Sequence, residues 1–194
     1  MNIGEQERAT YDSMWAVPAY HDQSPGEIYL PMFLDMAKPT MRGSILDAGC
    51  GAGKGALALK REGFQVSLCD LSNAGLSPEL EGMEFVQAPL WSNLKRQVGF
   101  RDYVYCCDVM EHIPPTFTML VASRLLEVAR RSVFFSISLM PDAFGAWVGK
   151  PLHQTVQSFV QWRDQLDEVG RVKEARDLLH CGVYLVEPKH VERS

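Results

Sequence analysis

Three glycines directly after a short apolar run form the segment of the sequence that is best suited to hold a ligand. The run Ser44–Ala48 reads as a buried strand, and Gly49, Gly51 and Gly53 follow it. Glycine lets the backbone turn tightly and approach a ligand with no side chain in the way. Asp47 adds a carboxylate at the carboxyl end of the strand, where α/β sheets bind ligands. Glycines at this spacing can also serve only to join a strand to a helix, without binding a ligand.

Two other predicted strands end in polar residues. The second, Gln65–Asp70, ends in Asp70 about twenty residues beyond the glycines, where a carboxylate can accept hydrogen bonds from both hydroxyls of a ribose. The fourth runs into residues 108–112, whose sequence is Asp-Val-Met-Glu-His. Because the carboxyl ends of parallel strands meet at one edge of a sheet, we expect the three strand ends to face one crevice.

Short apolar runs alternate with helical stretches from residue 44 onwards. The runs are continuous rather than alternating, which is typical of strands buried on both faces and hence of a parallel sheet between helices. They cover residues 44–48, 65–70, 84–87, 103–107 and 133–139, with helices predicted at 56–62, 117–130 and 156–169. The last two runs, 171–178 and 183–186, are too close for a crossover helix and are expected to pair antiparallel. The predicted fold class is α/β: a single Rossmann-like doubly wound sheet, mostly parallel, with a terminal antiparallel hairpin.

Composition and charge limit the class of protein. Hydrophobic residues make up 46% of the chain and charged residues 22%, an ordinary globular balance. The formal net charge of -5 leaves no basic surplus for phosphates, so nucleic acid is not favoured as a partner. Residues 1–20 do not read as a targeting signal and no apolar run could span a membrane, so a soluble, cytoplasmic protein is expected. The five cysteines are expected to be reduced core thiols.

Taken together, these features resemble the class I S-adenosylmethionine-dependent methyltransferases. The matching segments are Leu-Asp-Ala-Gly-Cys-Gly-Ala-Gly at 46–53, Asp-Leu-Ser at 70–72 and Asp-Val-Met-Glu-His at 108–112. The likeness is strongest with the small-molecule group that includes ubiquinone-biosynthesis methyltransferases. It implies S-adenosylmethionine as the cofactor and a small molecule as the methyl acceptor, and it is more specific for the cofactor than for the acceptor.

The resemblance also implies roles for individual residues. The glycine turn would lie against the methionine portion of the cofactor, Asp70 would hold the ribose, and the Asp108 backbone would face the amino group. The full set expected at the cofactor is Asp47, Gly49, Cys50, Gly51, Gly53, Asp70, Leu71, Leu90 and Asp108.

One position departs from the family pattern. The family commonly has an aspartate for the adenine amino group shortly after strand three, and this chain has Pro89 there. The adenine contact must then be made differently, for example by the Leu90 N–H or by stacking on Trp91. Trp91 can equally be a core residue.

Catalysis needs little besides alignment, because methyl transfer from a sulfonium is an in-line displacement on an activated carbon. If the acceptor must lose a proton, His153 and His112 are the candidate bases, since histidine titrates near neutrality. His153 is expected to precede a helix N-terminus that would keep it neutral, whereas His112 can instead serve structure. No metal site is predicted, because the histidines and cysteines do not combine into ligand spacing.

We expect one domain over residues 1–194, in which 1–43 forms a lid and substrate segment and 44–194 forms the cofactor-binding core. Residues 24–27 have the form of a capping box for a helix through Met36. Aromatic residues outside the cofactor half suggest a cover for the acceptor, although they can equally pack these segments onto the body. They are Tyr11, Trp15, Tyr20, Phe144 and Trp147.

Three other classes remain open. A nicotinamide-dependent oxidoreductase also uses a glycine turn, but its G-x-G-x-x-G pattern needs glycine where Lys54 stands. A nucleic-acid methyltransferase is disfavoured by the charge, and the pair Pro114-Pro115 lacks the flanking residues that grip a flipped base. A regulatory protein could bind the cofactor without turnover. The acceptor, the methylated atom and the oligomeric state are not specified.

Overall fold

A seven-stranded sheet forms the centre of the protein. The computed structural model describes residues 2–21 and 25–189. The strands are β1 (Ser44–Ala48), β2 (Gln65–Asp70), β3 (Phe85–Gln87), β4 (Arg101–Cys107), β5 (Ala129–Ser138), β6 (Arg171–Asp177) and β7 (Cys181–Glu187). Their order is β3-β2-β1-β4-β5-β7-β6. The first five run parallel, and β7 is antiparallel to both of its neighbours. The predicted fold class is confirmed.

Helices cover both faces of the sheet. They are α1 (Ile3–Met14), α2 (Pro18–His21), α3 (Pro25–Ile28), α4 (Leu30–Ala37), α5 (Lys54–Arg61), α6 (Leu94–Val98), α7 (Thr118–Val128) and α8 (Phe159–Val169). Successive side chains of a strand point to opposite faces. On β1, Ile45 therefore joins a buried cluster with Phe33 of α4, while Leu46 joins another with Leu125 of α7. Burial on both sides explains why the strands read as continuous apolar runs.

The strand order reverses between β1 and β4. From β1 the chain passes through α5 to β2 on one side, and β4 pairs with β1 on the other side. At such a switch point the connections leave in opposite directions, so a crevice opens at the carboxyl ends of the strands. The three motif segments follow β1, β2 and β4, which places all of them at this crevice.

The amino-terminal segment begins with a helix that the sequence patterns above did not predict. The Asn2 side chain accepts a hydrogen bond from the Glu5 N–H, and the Glu5 carboxylate accepts one from the Asn2 N–H, at 3.0 Å each. This reciprocal capping box satisfies backbone donors that the first turn of α1 leaves unpaired.

The helix predicted to run from residues 24–27 through Met36 is instead two helices, α3 and α4. They are separated at Tyr29, because Pro31 has no N–H to donate to the carbonyl four residues earlier and its ring crowds that turn. Ser24, the cap residue of the predicted box, lies outside the described residues.

Several other predicted boundaries were also wrong. The helix predicted over 117–130 ends at Val128, and β5 begins at Ala129 rather than at 133. Exposed Arg130 and Arg131 occupy the start of that strand, so its polar beginning did not read as a buried run. The last helix begins at Phe159 rather than at 156, because Ser158 caps it.

The predicted state of the thiols is confirmed: all five cysteines are free, and all except the half-buried Cys107 are buried. Among the described residues, no helix is long and apolar enough to cross a membrane.

Candidate active site

A cavity of about 350 Å³ opens at the carboxyl ends of β1, β2 and β4. Its lining includes every residue that the sequence suggested for the cofactor or for catalysis. These are Asp47, Gly49, Cys50, Gly51, Gly53, Asp70, Leu71, Leu90, Asp108, His112 and His153. Residues from five separate stretches of the chain therefore meet in one place.

The turn after β1 depends on glycine. Backbone φ is +75° at Gly49, +53° at Gly51 and +77° at Gly53, a region that residues with a Cβ rarely adopt. A Cβ on Gly49 would also collide with the Val109 side chain, and one on Gly51 would lie 3.0 Å from the Trp15 ring. The turn therefore presents bare backbone to the cavity.

Two carboxylates stand beside this turn. The Asp70 oxygens accept hydrogen bonds from the Gly51 N–H at 2.8 Å and from the Ser72 N–H at 3.0 Å, so Asp70 ties the glycine turn to the end of β2. Burial raises the pKa of Asp70, and these backbone hydrogen bonds oppose that effect. Burial and the charge of Asp70 raise the pKa of Asp47 to about 7. Each oxygen of Asp70 keeps a lone pair for a ligand hydroxyl.

The segment after β4 begins with a strained residue. Asp108 has φ of +59°, which is uncommon for a residue other than glycine, and its N–H donates to the Ser136 carbonyl at 2.9 Å. Glu111 is fully buried, and its Oε1 accepts a hydrogen bond from the Ser138 N–H at 2.6 Å. Burial and the neighbouring charge of Asp108 raise the pKa of Glu111 well above its usual range. Strain of this kind is concentrated at functional sites.

Pro89, Leu90 and Trp91 line the side of the cavity next to β3. The Trp91 ring also stacks on Phe117, with 5.0 Å between centroids and 17° between planes, and it packs against the buried core. Trp91 is thus a core residue with one edge in the cavity.

His112 and His153 contact each other at the end of the cavity away from β2, with 4.6 Å between ring centroids and the planes nearly perpendicular. His112 Nδ1 lies 2.9 Å from the Tyr11 hydroxyl, and burial lowers the pKa of His112 to about 4. His153 Nδ1 lies 2.6 Å from the Met140 carbonyl. Because a carbonyl only accepts, Nδ1 of His153 carries a hydrogen, and Nε2 is therefore the ring nitrogen left to contact a ligand.

The expected helix N-terminus at His153 is absent, since α8 begins at Phe159 and His153 lies in the preceding loop. Asp142 holds this loop instead. Its carboxylate accepts hydrogen bonds from the backbone N–H groups of Leu152 at 2.8 Å and His153 at 3.2 Å, and also from that of Gly145. The sequence offered no signal for this role, because the residues concerned belong to an irregular loop.

Aromatic residues of the amino-terminal segment cover the cavity. Tyr11, Trp15 and Tyr20 all line it, and Tyr20 packs edge-on against Phe144 with 5.6 Å between centroids. Trp147, which the sequence grouped with Phe144, is 66% exposed and does not line the cavity. Four of the five aromatic residues that the sequence suggested for a cover therefore line the cavity.

Polar contacts hold α1 in place over the cavity. The buried Glu7 carboxylate accepts hydrogen bonds from Lys150 Nζ at 3.3 Å and Gln154 Nε2 at 2.9 Å, and the Ser72 hydroxyl donates to Asp12 at 2.5 Å. Glu7 was not predicted from the sequence. Its spacing from Met14 could have indicated it, because residues seven apart lie on the same face of a helix, and here both are buried.

Within the described residues, the fold brings together three possible ligand side chains that the sequence spacing did not indicate. Ligand atoms of Glu111, His112 and His153 all lie within 4.8 Å of one another. The spacing along the chain concealed this cluster, because His153 comes from the loop after β5 and meets the other two residues only in the fold.

The comparisons with known proteins agree with this geometry. A family model described as "Methyltransferase domain" matches residues 26–180, so the chain belongs to that family. The predicted class, that of the class I S-adenosylmethionine-dependent methyltransferases, is thereby confirmed.

Curated relatives are similar over part of their length. The ubiquinone biosynthesis O-methyltransferase of Yersinia enterocolitica is 28% identical over 150 residues, which are 70% of this chain and 61% of the relative. The protein of the same name from Acinetobacter baumannii is 31% identical over 100 residues, which are 47% of this chain and 42% of the relative. The matches thus span less than two thirds of either relative.

Solved structures share the fold at low identity. The N-methyltransferase NodS from Bradyrhizobium japonicum has a TM-score of 0.70 at 11% identity, covering 94% of this chain and 98% of that one. The 1,6-didemethyltoxoflavin-N1-methyltransferase from Burkholderia thailandensis has a TM-score of 0.68 at 15% identity, covering 98% and 92%. Both were crystallised with S-adenosylhomocysteine.

Proposed function

We propose that this chain transfers the methyl group of S-adenosylmethionine to an oxygen atom of a small-molecule acceptor. The observation that carries the proposal is the single cavity that joins the glycine turn and Asp70 at one end to the two histidines at the other. Residues suited to bind the cofactor and two histidines thus share one cavity. The names of the curated relatives, which are O-methyltransferases, support oxygen over nitrogen.

In this proposal the cofactor lies along the carboxyl ends of β1, β2 and β4. Asp70 accepts hydrogen bonds from the ribose hydroxyls, and the bare backbone from Gly49 to Gly53 lies against the methionine portion. The Asp108 N–H is already bonded to Ser136, so its carbonyl is the group left to accept a hydrogen bond from the cofactor amino group. Leu90 and Trp91 border the adenine.

The acceptor then lies between the cofactor and the histidines. As the oxygen bonds to the methyl carbon, the bond from that carbon to sulfur breaks and its electron pair stays on sulfur. The acceptor proton leaves at the histidine end, where His153 Nε2 is an available base. His112 remains neutral because its pKa is low, and it positions the neighbouring ring.

The amino-terminal segment serves as the lid in this arrangement. Trp15, which caps the end of α1, lies against Gly51, and Tyr11 of α1 contacts His112, so this segment touches both ends of the cavity. We expect Trp15→Ala to weaken cofactor binding while the unfolding midpoint changes little. Calorimetric titration with S-adenosylhomocysteine measures this effect. An unchanged Kd would remove Trp15 from the lid.

Incubation with methyl-labelled S-adenosylmethionine and fractionated cell extract tests the proposed reaction. The expected product is a labelled small molecule whose methyl group mass spectrometry places on oxygen. With that acceptor, His153→Ala should lower turnover by about 10²- to 10⁴-fold at unchanged cofactor affinity, if His153 takes the proton. The exposed His180 offers a matched control, and His180→Ala should react at the wild-type rate. Label found only in nucleic acid or protein would contradict the proposal.

A further inference from the structure

A second cavity, of about 310 Å³, opens at the edge of the sheet opposite the active-site cavity. Within the described residues, the two cavities share no lining residue. Tyr103, near the start of β4, lines the second cavity, whereas Cys107, at the end of the same strand, lines the first. A strand rises about 3.3 Å per residue, so this length of β4 keeps the two cavities about 13 Å apart.

Positive charge is concentrated around the second cavity, which we call the basic cavity. Lys38 follows α4, Arg130 and Arg131 begin β5, and Lys173 lies on β6. All four side chains are exposed and line the cavity, and in the described part of the chain Glu187 of β7 is the one acidic residue among its lining. The chain as a whole has a net charge of -5, so this grouping runs against its average charge.

The two arginines are unusual for their place in the sheet. β5 lies between β4 and β7, and it is buried from Ser132 to Ile137. Strands covered on both faces are typically apolar, so the core does not account for Arg130 and Arg131 at the start of this one. Hydrogen bonds from Ser44, and after them the charges of the two arginines, lower the pKa of Asp102, but this carboxylate does not line the basic cavity.

Most of these cations lack a close ionic partner. In residues 2–21 and 25–189, no carboxylate oxygen lies within 4.0 Å of a side-chain nitrogen of Lys38, Arg130 or Arg131. Lys173 pairs with Glu187 at 3.0 Å, and Glu187 also pairs with Arg171, so the one carboxylate of the lining is already balanced. The other cations repel one another across the cavity, and a bound anion would relieve that repulsion.

Buried hydroxyl groups complete the lining. Tyr103 and Ser132 are 3% and 5% exposed, and they lie opposite each other on β4 and β5. The Tyr103 hydroxyl accepts a hydrogen bond from the Thr40 N–H at 3.2 Å, so its own hydrogen remains to be donated. Ammonium and guanidinium groups only donate, and this set of donors suits a ligand whose outer atoms all accept hydrogen bonds.

We propose that the basic cavity binds a compact anion that carries phosphate groups, of which inorganic diphosphate is the simplest form. Phosphate oxygens accept several hydrogen bonds at once, and the planar fork of an arginine can bond two of them together. A concave site of this size encloses a small ligand. Nucleic acid is bound instead by a basic face or stripe, whereas these cations surround one concavity of an acidic chain.

Calorimetric titration with inorganic diphosphate at low ionic strength, with neither cofactor nor acceptor present, tests the basic cavity. We expect one equivalent to bind. Lys38→Gln and Arg131→Gln should each raise the Kd by about 10-fold or more, because each removes a charge-assisted hydrogen bond. Lys60→Gln and Arg96→Gln are the matched controls, since they remove the same charge from exposed positions outside the cavity, and they should bind as the wild type does.

All four replaced side chains are exposed, so the unfolding midpoints should stay at the wild-type value. Absence of diphosphate binding by the wild type would overturn the inference. Equal losses in the cavity variants and in their controls would also overturn it, because general attraction of an anion would produce them. Binding of an RNA oligonucleotide, or of vesicles that contain phosphatidic acid, without binding of diphosphate would assign the cations to a larger partner and contradict the proposed ligand. None of these results touches the methyl-transfer proposal, because the titration involves no methyl donor.

Discussion

Replacement of Asp70 separates ligand binding from support of the fold. Its carboxylate accepts two backbone hydrogen bonds and lines the cavity, where we assign it the ribose hydroxyls. Asp70→Asn keeps one acceptor oxygen but turns an NH2 group towards the other donor. A hydrogen bond to a charged group contributes about 1.5 to 3 kcal/mol. Loss of one such bond to the cofactor should raise the Kd by about 10- to 150-fold.

The effect of the same variant on stability should be smaller. Burial raises the pKa of Asp70, so removing the charge recovers part of what the lost hydrogen bond costs. Asp102 is a matched control, because its carboxylate accepts hydrogen bonds from the Ser44 N–H and hydroxyl but does not line the cavity. Calorimetry with S-adenosylhomocysteine should show weaker binding in Asp70→Asn and an unchanged Kd in Asp102→Asn. Equal affinities of both variants and the wild type would refute the assignment of Asp70.

Three further changes act on the turn and its surroundings. Gly49→Ala should lower the free energy of unfolding, measured by urea denaturation, by at least about 1 to 2 kcal/mol, because φ is positive at this residue. Adding Val109→Ala should remove the collision with the new Cβ but not the cost of the positive φ, so stability should recover only in part. The pKa of Asp47 in the folded protein is about 7, above the ordinary value of 3.8. The contribution of Asp47 to stability is therefore fully present below about pH 4 and is lost as the pH rises through 7. Without ligand, the wild type should therefore lose stability relative to Asp47→Asn as the pH rises from about 4 to about 8. A difference in unfolding free energy that does not change with pH would disprove the raised pKa of Asp47. Tyr11→Phe removes the hydrogen bond to His112 and should cost about 0.5 to 1.5 kcal/mol in the same denaturation assay.

The sequence predicted the central strands well, because burial on both faces produces the same apolar run at any position in the sheet. β1 and β2 have the predicted bounds. Prediction failed where local chemistry competed with that pattern. The charged residues at the start of β5 concealed the point where this strand begins. Pro31 interrupted a helix that its flanking residues favoured.

The residues that line the cavity at the ends of β1, β2 and β4 were predictable because they lie at fixed positions after strands. The acceptor side was not, since its contacts join distant parts of the chain. Glu7 reaches Gln154, and Glu111 meets His153 from the loop after β5. No spacing rule connects such residues, and only the folded chain brings them together.

Binding of the cofactor itself is measured most directly by calorimetric titration of the purified protein with S-adenosylhomocysteine, and in parallel with NAD. Binding of the sulfur nucleoside and no heat of binding with NAD is the predicted result. It follows from the turn at Gly49 to Gly53, which lacks the further glycine of a dinucleotide site because Lys54 stands there. Binding of NAD without binding of S-adenosylhomocysteine would contradict the assignment of the cavity.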